Sequence, residues 1–333
     1  MQFLSDNAAA VHPAVWSAMQ AADGAQAPYD NDSLSQSLDA RFSEVFGRDC
    51  TTIWVASGTA ANCLALASMV PPHGAVICHR DAHIEQDECG APGFFTHGAK
   101  LMLAEGVDAK LTPAAMEACI APIRRDVHRV WPHAVSITQA SEAGCVYRPA
   151  EVAAIGACAQ GHGLKLHMDG ARFANAVAHL GCTPAAASCD GGVDVLSFGC
   201  VKNGGMSAEA LVFFDPALAE DVKYRRKRAG HLQSKGRFLA AQIHALLAGD
   251  LWLANARAAN AAAAEIAAAV PHRLLHPVEA NEVFVTLSPA EKAGLRAQGF
   301  GFYDWGETGA RFVAAWNCAP ADVAALARAL AAV

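Results

Sequence analysis

Charge is sparse in this chain. Asp, Glu, Lys and Arg make up 17% of its 333 residues, and lysine occurs only eight times. The balance is acidic, a net −7, and no basic run offsets it. That excludes a protein built to bind nucleic acid or an anionic membrane surface through its charge. Long charge-free runs are also few. The longest, from Cys50 to His79, is broken by Thr51, Thr52, Ser57, Thr59, Asn62 and Pro71-Pro72, so no membrane span is expected. The first residues lack the basic start and long apolar stretch of a signal peptide. No Cys-x-x-Cys pair exists among the 11 cysteines, an odd number. Free, mostly buried thiols in a reducing, cytoplasmic compartment are the expectation. There is no Gly-Lys-Ser/Thr phosphate loop, and Gly161-His162-Gly163 precedes a strand-like run instead of following one, which excludes a dinucleotide fingerprint.

What is present is apolar: 53% of the residues are hydrophobic, far too many for a disordered chain. At roughly 150 residues per domain the length predicts about two domains. Strand-like runs at Thr51–Ala56, Ala75–Cys78, Ala134–Gln139, Leu164–Met168 and Val193–Phe198 alternate with helical ones at Thr59–Met69, Pro149–Gln160 and Ala171–His179. Thr112-Pro113 reads as a helix cap followed by proline at the first helical position. This alternation predicts an α/β fold with a mostly parallel sheet covered on both faces. After Pro216 long helices run to about Ala269, followed by strand-like Asn281–Leu287 and Arg311–Trp316 with helices from Pro289 and Pro320. The expected division is a large domain over residues 1–247 and a small α+β domain over 248–333.

Three motifs carry chemistry. At Ser57-Gly58-Thr59-Ala60-Ala61-Asn62 a strand gives way to a helix through small residues. Free backbone amides and the positive helix end suit a phosphate, with the Ser57 and Thr59 hydroxyls helping. Taken alone, it also fits an ordinary capped turn. Asp169, in His167-Met168-Asp169-Gly170-Ala171-Arg172, ends an apolar strand, where ligands bind in open α/β sheets, although it equally fits a helix cap or an ion pair with Arg172. Lys202 lies in a glycine-rich apolar loop straight after a strand. Desolvation there favours the neutral, nucleophilic amine of a Schiff-base lysine, while the plainer alternative is a loop lysine reaching solvent. A phosphate turn, a strand-end aspartate and such a lysine together form the constellation of pyridoxal 5′-phosphate enzymes.

With the opening Ser5-Asp6-Asn7, Ala82-His83 followed by Glu88-Cys89-Gly90, and Ser197-Phe198-Gly199 leading to Lys202-Asn203-Gly204, the chain resembles the low-specificity L-threonine aldolases, closest to the proteobacterial form. These are fold-type I, aspartate-aminotransferase-like enzymes of the β-eliminating lyase group. The resemblance spans nearly the whole chain. It implies retro-aldol cleavage of L-threonine or L-allo-threonine to glycine and acetaldehyde, with phenylserine or another β-hydroxy amino acid as the alternative substrate. A degenerate, non-catalytic homologue is the remaining reading. By resemblance, Ser57, Gly58, Thr59, His83, Asp169 and Lys202 hold the cofactor, and no metal is expected. His83 stacks on its ring and acts as the base, directly or through a water, and His128 binds the β-hydroxyl. Ser5, Arg172 and Arg311 take the substrate carboxylate. A homotetramer with sites at dimer interfaces is implied as well. One departure stands out. Leu232 occupies the place where the family carries an arginine that reaches a neighbouring subunit's phosphate, with Arg228, Lys235 and Arg237 as the basic residues nearby.

Overall fold

The computed structural model describes all 333 residues. Ten strands form: β1 (Thr51–Val55), β2 (Gly74–His79), β3 (Lys100–Ala104), β4 (Trp131–Thr138), β5 (Lys165–Gly170), β6 (Val195–Phe198), β7 (Glu209–Phe213), β8 (Glu282–Thr286), β9 (Tyr303–Trp305) and β10 (Gly309–Val313). The first seven make one sheet in the order β1-β7-β6-β5-β4-β2-β3. Only β7 runs against its neighbours, pairing antiparallel with β1 and β6. The last three make a separate antiparallel sheet, β8-β10-β9. This is the fold-type I architecture.

Alternation along the strands explains the layering. Trp54, Leu196 and Val212 point into a core shared with Phe42, Phe173 and Trp252, while Val55, Val195 and Leu211 point the other way, onto Leu64, Leu66 and Val222. Both faces of the large sheet are therefore buried, as parallel strands require. The helix Leu251–Ala268 bridges to the third core, where Ile266 meets Val283, Phe312 and Leu326. Phe3 is buried in that same core and its amide bonds Gly301 at 2.8 Å. We propose a lobe boundary near residue 248, with the first residues of the chain packing against the C-terminal lobe. No helix is long and apolar enough to cross a membrane.

The expected strands and helices of the first lobe form with ends shifted by at most three residues. Pro113 does begin a helix, with the Thr112 side chain accepting from the Ala115 amide. Strands β3, β7 and β9 are additions. β3 is a sheet edge with its first residue exposed, β9 is exposed throughout, and β7 lies in a glycine-rich neighbourhood without a helix before it.

Candidate active site

The carboxyl ends of β1, β4, β5 and β6 open onto one cavity of about 420 Å³, within the usual size range for a small-molecule site. A larger cavity of about 560 Å³ lies elsewhere, between the helix Pro149–Gly161 and the turn before β6. Its lysine, Lys165, is already paired with Asp194 at 3.1 Å and Asp215 at 2.9 Å, so it offers no free reactive group.

At the end of β1, Ser57 is extended (φ −150°, ψ 154°) and caps the helix Gly58–Met69 by accepting from the Ala60 amide at 3.3 Å. The amides of Gly58 and Thr59 have no acceptor in the chain and, as the first turn of a 12-residue helix, carry its positive end. The hydroxyl-bearing Thr59 and Ser207 line the same cavity. This donor set fits a phosphate.

About one turn further along the helix, Asn62 joins two carboxylates. Its Nδ2 donates to Asp169 Oδ2 at 2.8 Å and to Glu88 Oε1 at 2.9 Å. Asp169 also accepts the Ala171 amide at 3.0 Å, so it is both capping and aimed. Glu88, its side chain fully buried, also bonds Nδ1 of His83 at 2.9 Å. That hydrogen bond raises the His83 imidazole above its ordinary value, against the opposing effect of burial and with help from Asp169 and Glu142. Beneath Asp169, His167 is sealed between the hydroxyls of Ser136 (2.9 Å) and Ser197 (3.0 Å), and burial pushes it down to about 4, so it stays neutral.

Lys202 comes from the loop after β6. Gly199 is needed there because a Cβ would fall 2.4 Å from the Ala171 carbonyl oxygen, so the lysine loop lies directly on the aspartate loop. Gly204 closes the turn at φ 102°, where an L side chain is strained. Asn203 fixes the loop by donating to the Trp252 carbonyl at 2.8 Å and accepting from Asn255 at 2.9 Å. The Lys202 ammonium itself is half-buried and has no hydrogen-bond or ion-pair partner.

The structure thus gathers Ser57, Gly58, Thr59, His83, Asp169, Arg172 and Lys202 around one cavity. Arg172 arrives with partners. Its Nε and Nη2 clasp Asp6 at 2.8 and 3.0 Å, and Nη1 lies 3.4 Å from Glu282. Burial disfavours the Asp6 charge, yet Arg172 and Lys202, with the Asn281 hydrogen bond, hold its carboxyl below the usual range. Three expected residues are not on the cavity wall. Ser5 caps the short turn Asp6–Ala8 by accepting from the Asn7 amide, and Asn7 reaches the cavity instead. Arg311 stands behind Glu282, 3.7 Å from Oε1, with its Nε buried and without an acceptor. His128 is exposed on a turn after Arg124–Asp126, its amide bonded to Asp126 at 2.9 Å. Its segment precedes β4, at the opposite end of the strand from this chain's own cavity, so within one chain His128 does not reach the cavity wall. Two carboxylates that sequence reasoning missed do line the cavity, Glu142 and Glu209. Glutamates in such segments carry no spacing signal of their own.

The family model for β-eliminating lyases matches residues 2–290. A low specificity L-threonine aldolase of Pseudomonas aeruginosa is 48% identical, over 98% of this chain and 96% of the relative. Another, from a Pseudomonas strain, is 46% identical over the same shares. Among solved structures, a threonine aldolase of Leishmania major superposes with a TM-score of 0.93 at 28% identity, covering 99% of this chain and 98% of the other.

Proposed function

The chain belongs to the low-specificity L-threonine aldolases within the β-eliminating lyases, and on that premise we propose that this cavity cleaves β-hydroxy amino acids, L-threonine and L-allo-threonine foremost, to glycine and an aldehyde. The observation that carries the reading is the unpartnered Lys202 ammonium sharing one cavity with Asp169 and the free amides of Gly58 and Thr59.

These residues fit pyridoxal 5′-phosphate. Bound here, the cofactor supplies a carbonyl that condenses with amines and a ring that withdraws electrons from Cα. The first-turn amides, with the Ser57 and Thr59 hydroxyls, would hold its phosphate. Asp169, oriented by Asn62 and the Ala171 amide, would hold a proton on the pyridine nitrogen. Lys202 would be the amine that holds the cofactor and is displaced by the substrate amine. His83, fixed by Glu88, would cover the ring.

The substrate carboxylate calls for a cation. Arg172 lines the cavity, and Arg311 stands next to it across Glu282. Holding the carboxylate there would keep the Cα–carboxylate bond out of the reacting position and allow the Cα–Cβ bond to be presented for cleavage. A homotetramer with sites at dimer interfaces belongs to this proposal. The decisive experiment incubates the cofactor-loaded protein with L-threonine, L-allo-threonine and phenylserine and quantifies glycine with each aldehyde. Acetaldehyde and glycine in equal amounts support the reading. Aldehyde from phenylserine alone narrows it to aromatic substrates, and no aldehyde from any of the three defeats it.

A further inference from the structure

Cleavage of a β-hydroxy amino acid needs an acceptor for the hydroxyl proton, and the cavity contains an unassigned carboxylate. Glu142 sits in the loop after β4, held rigidly. Gln139 in that loop bonds both the Tyr147 amide and carbonyl at 2.9 Å, and the Gln139 amide bonds the Asp169 carbonyl at 2.7 Å. Ser141 bonds the Asp108 carbonyl at 2.7 Å. The backbone that presents Glu142 is therefore tied to the strand that presents Asp169.

The remaining acidic groups of the site are engaged. Asp169 and Glu88 share Asn62, Asp6 clasps Arg172, and Glu209 accepts the Cys200 amide. Asp87 lies exposed at the mouth. Glu142 alone is half-buried on the cavity wall and without any hydrogen bond or ion pair. A β-hydroxy amino acid brings three polar groups: a carboxylate for Arg172, an amine that takes the place of Lys202, and a hydroxyl. The hydroxyl is the one group left over that can donate, and Glu142 is the acceptor left over.

We infer that Glu142 is the catalytic base of the retro-aldol step, accepting the β-hydroxyl proton. The inference rests on the aldolase reading above. In the step the O–H bond breaks toward Glu142, and its electrons become the second bond of the aldehyde C=O. The Cα–Cβ bond breaks with its pair staying on the glycine fragment, whose Cα then takes a proton from water, while the proton on Glu142 returns to water. His83 suits this role less. Its Nδ1 is committed to Glu88, and the same bond makes the ring hold a proton at higher pH. The groups facing Glu142 are Lys202, Glu282, Asp169 and Arg172, together with His83. Burial, with Glu282 and Asp169, pushes it up to about 7 while Lys202 and Arg172 oppose. A base poised near the operating pH is the efficient arrangement.

The test is Glu142→Gln in the cofactor-loaded enzyme, with threonine cleavage compared against exchange of the glycine α-hydrogen for deuterium. Exchange uses the same cofactor, Lys202 and Asp169 but has no hydroxyl to deprotonate. The ratio of cleavage to exchange should fall by about 10²–10⁴, the usual worth of a general base. The acid limb of kcat/KM near pH 7 should disappear. Glu142→Asp should regain part of the cleavage. In the cofactor-free protein, carbon-13 NMR of glutamate side chains should lose a titration centred near 7 in Glu142→Gln. Overturning results are an unchanged ratio, or cleavage and exchange falling together with Glu142→Asp no better than Gln. If wild type cleaves none of the three β-hydroxy amino acids yet exchanges glycine, the aldolase reading fails instead, whatever the variant does.

Discussion

β5 and its two neighbours in the sheet present their functional groups in different states. At the end of β5, Asp169 is fixed by Asn62 and the Ala171 amide, and Asn62 ties it to Glu88 and so to His83. The loops after β4 and β6 flank it and carry Glu142 and Lys202, neither with a partner. The contrast separates two tasks. A group that must hold charge still at one point benefits from a locked hydrogen-bond network, because no reorganisation is needed when the reaction begins. A group that must form a bond or take a proton has to be free of such bonds, and its backbone is locked instead. The Lys202 loop is pinned by Asn203 and Asn255, and the Glu142 loop by Gln139 and Ser141.

Removing a free group should do the most harm. Lys202→Ala should abolish cleavage above background while cofactor still binds through its phosphate. Borohydride reduction of the loaded wild-type protein, followed by peptide mapping, should place the label on Lys202. A label on any other lysine breaks the comparison at its centre.

Among the fixed groups, Asp169→Asn should cost less. The lost interaction is a hydrogen bond to a charged ring nitrogen, worth about 1.5–3 kcal/mol, or about 10–100-fold in kcat. KM should change far less than kcat, because the charge develops in the reaction and not on binding. Near-normal turnover with cofactor fully bound would leave Asp169 as a helix cap only.

Glu88→Gln probes the network one bond further out. The charge that raises His83 would go, so the His83 imidazole should titrate lower, toward the ordinary 6.5. The sign follows from the pairing: a histidine held up by an acid stays protonated to higher pH, and removing the acid frees it sooner. Replacing a charged hydrogen bond by a neutral one forfeits about 1 kcal/mol, or about fivefold in kcat. Imidazole NMR across pH reads the shift directly. An unmoved His83 titration would show that Glu88 does not set it.

The same division governs how much of the site was legible in the sequence. Ser57, Asp169 and Lys202 announce themselves because each sits where an apolar strand meets small residues, a pattern fixed by local backbone geometry. β1, β4, β5 and β6 were legible for the same reason: a strand buried on both faces is an uninterrupted apolar run. The network behind Asp169 was not. Asn62, on the helix Gly58–Met69, meets Glu88, in the bend after the short helix His83–Gln86, only because the fold brings the two segments together. The same holds for Asp6 on Arg172, a bond across 166 positions. Glu142 is harder still, since an unpartnered glutamate in a loop looks like any solvated one until the fold shows that it faces a cavity. β3 and β9 escaped because their exposed edges interrupt the apolar pattern.

The smallest effect should come from His128, and it sharpens the comparison by asking whether a residue outside both groups matters. The family resemblance set this histidine beside the β-hydroxyl. In the fold it occupies an exposed turn, its amide bonded to Asp126, which also pairs with Arg124. It precedes β4, whereas Glu142 follows it, so the strand separates the two by its full length. An exposed side chain with no partner contributes little to stability, within about 0.5 kcal/mol on substitution. His128→Ala should therefore keep kcat/KM for both L-threonine and L-allo-threonine within about twofold, since about 0.4 kcal/mol of barrier corresponds to that factor. The diastereomer ratio is the sensitive readout, because a group touching the hydroxyl distinguishes the two configurations at Cβ and a surface residue does not. Glu142→Asp supplies the contrast: retracting a carboxylate that does touch the hydroxyl should shift that ratio. A shifted ratio in His128→Ala with an unshifted one in Glu142→Asp would return the hydroxyl to the histidine. It would also require His128 to enter a neighbouring subunit's cavity, since its own lies at the far end of β4.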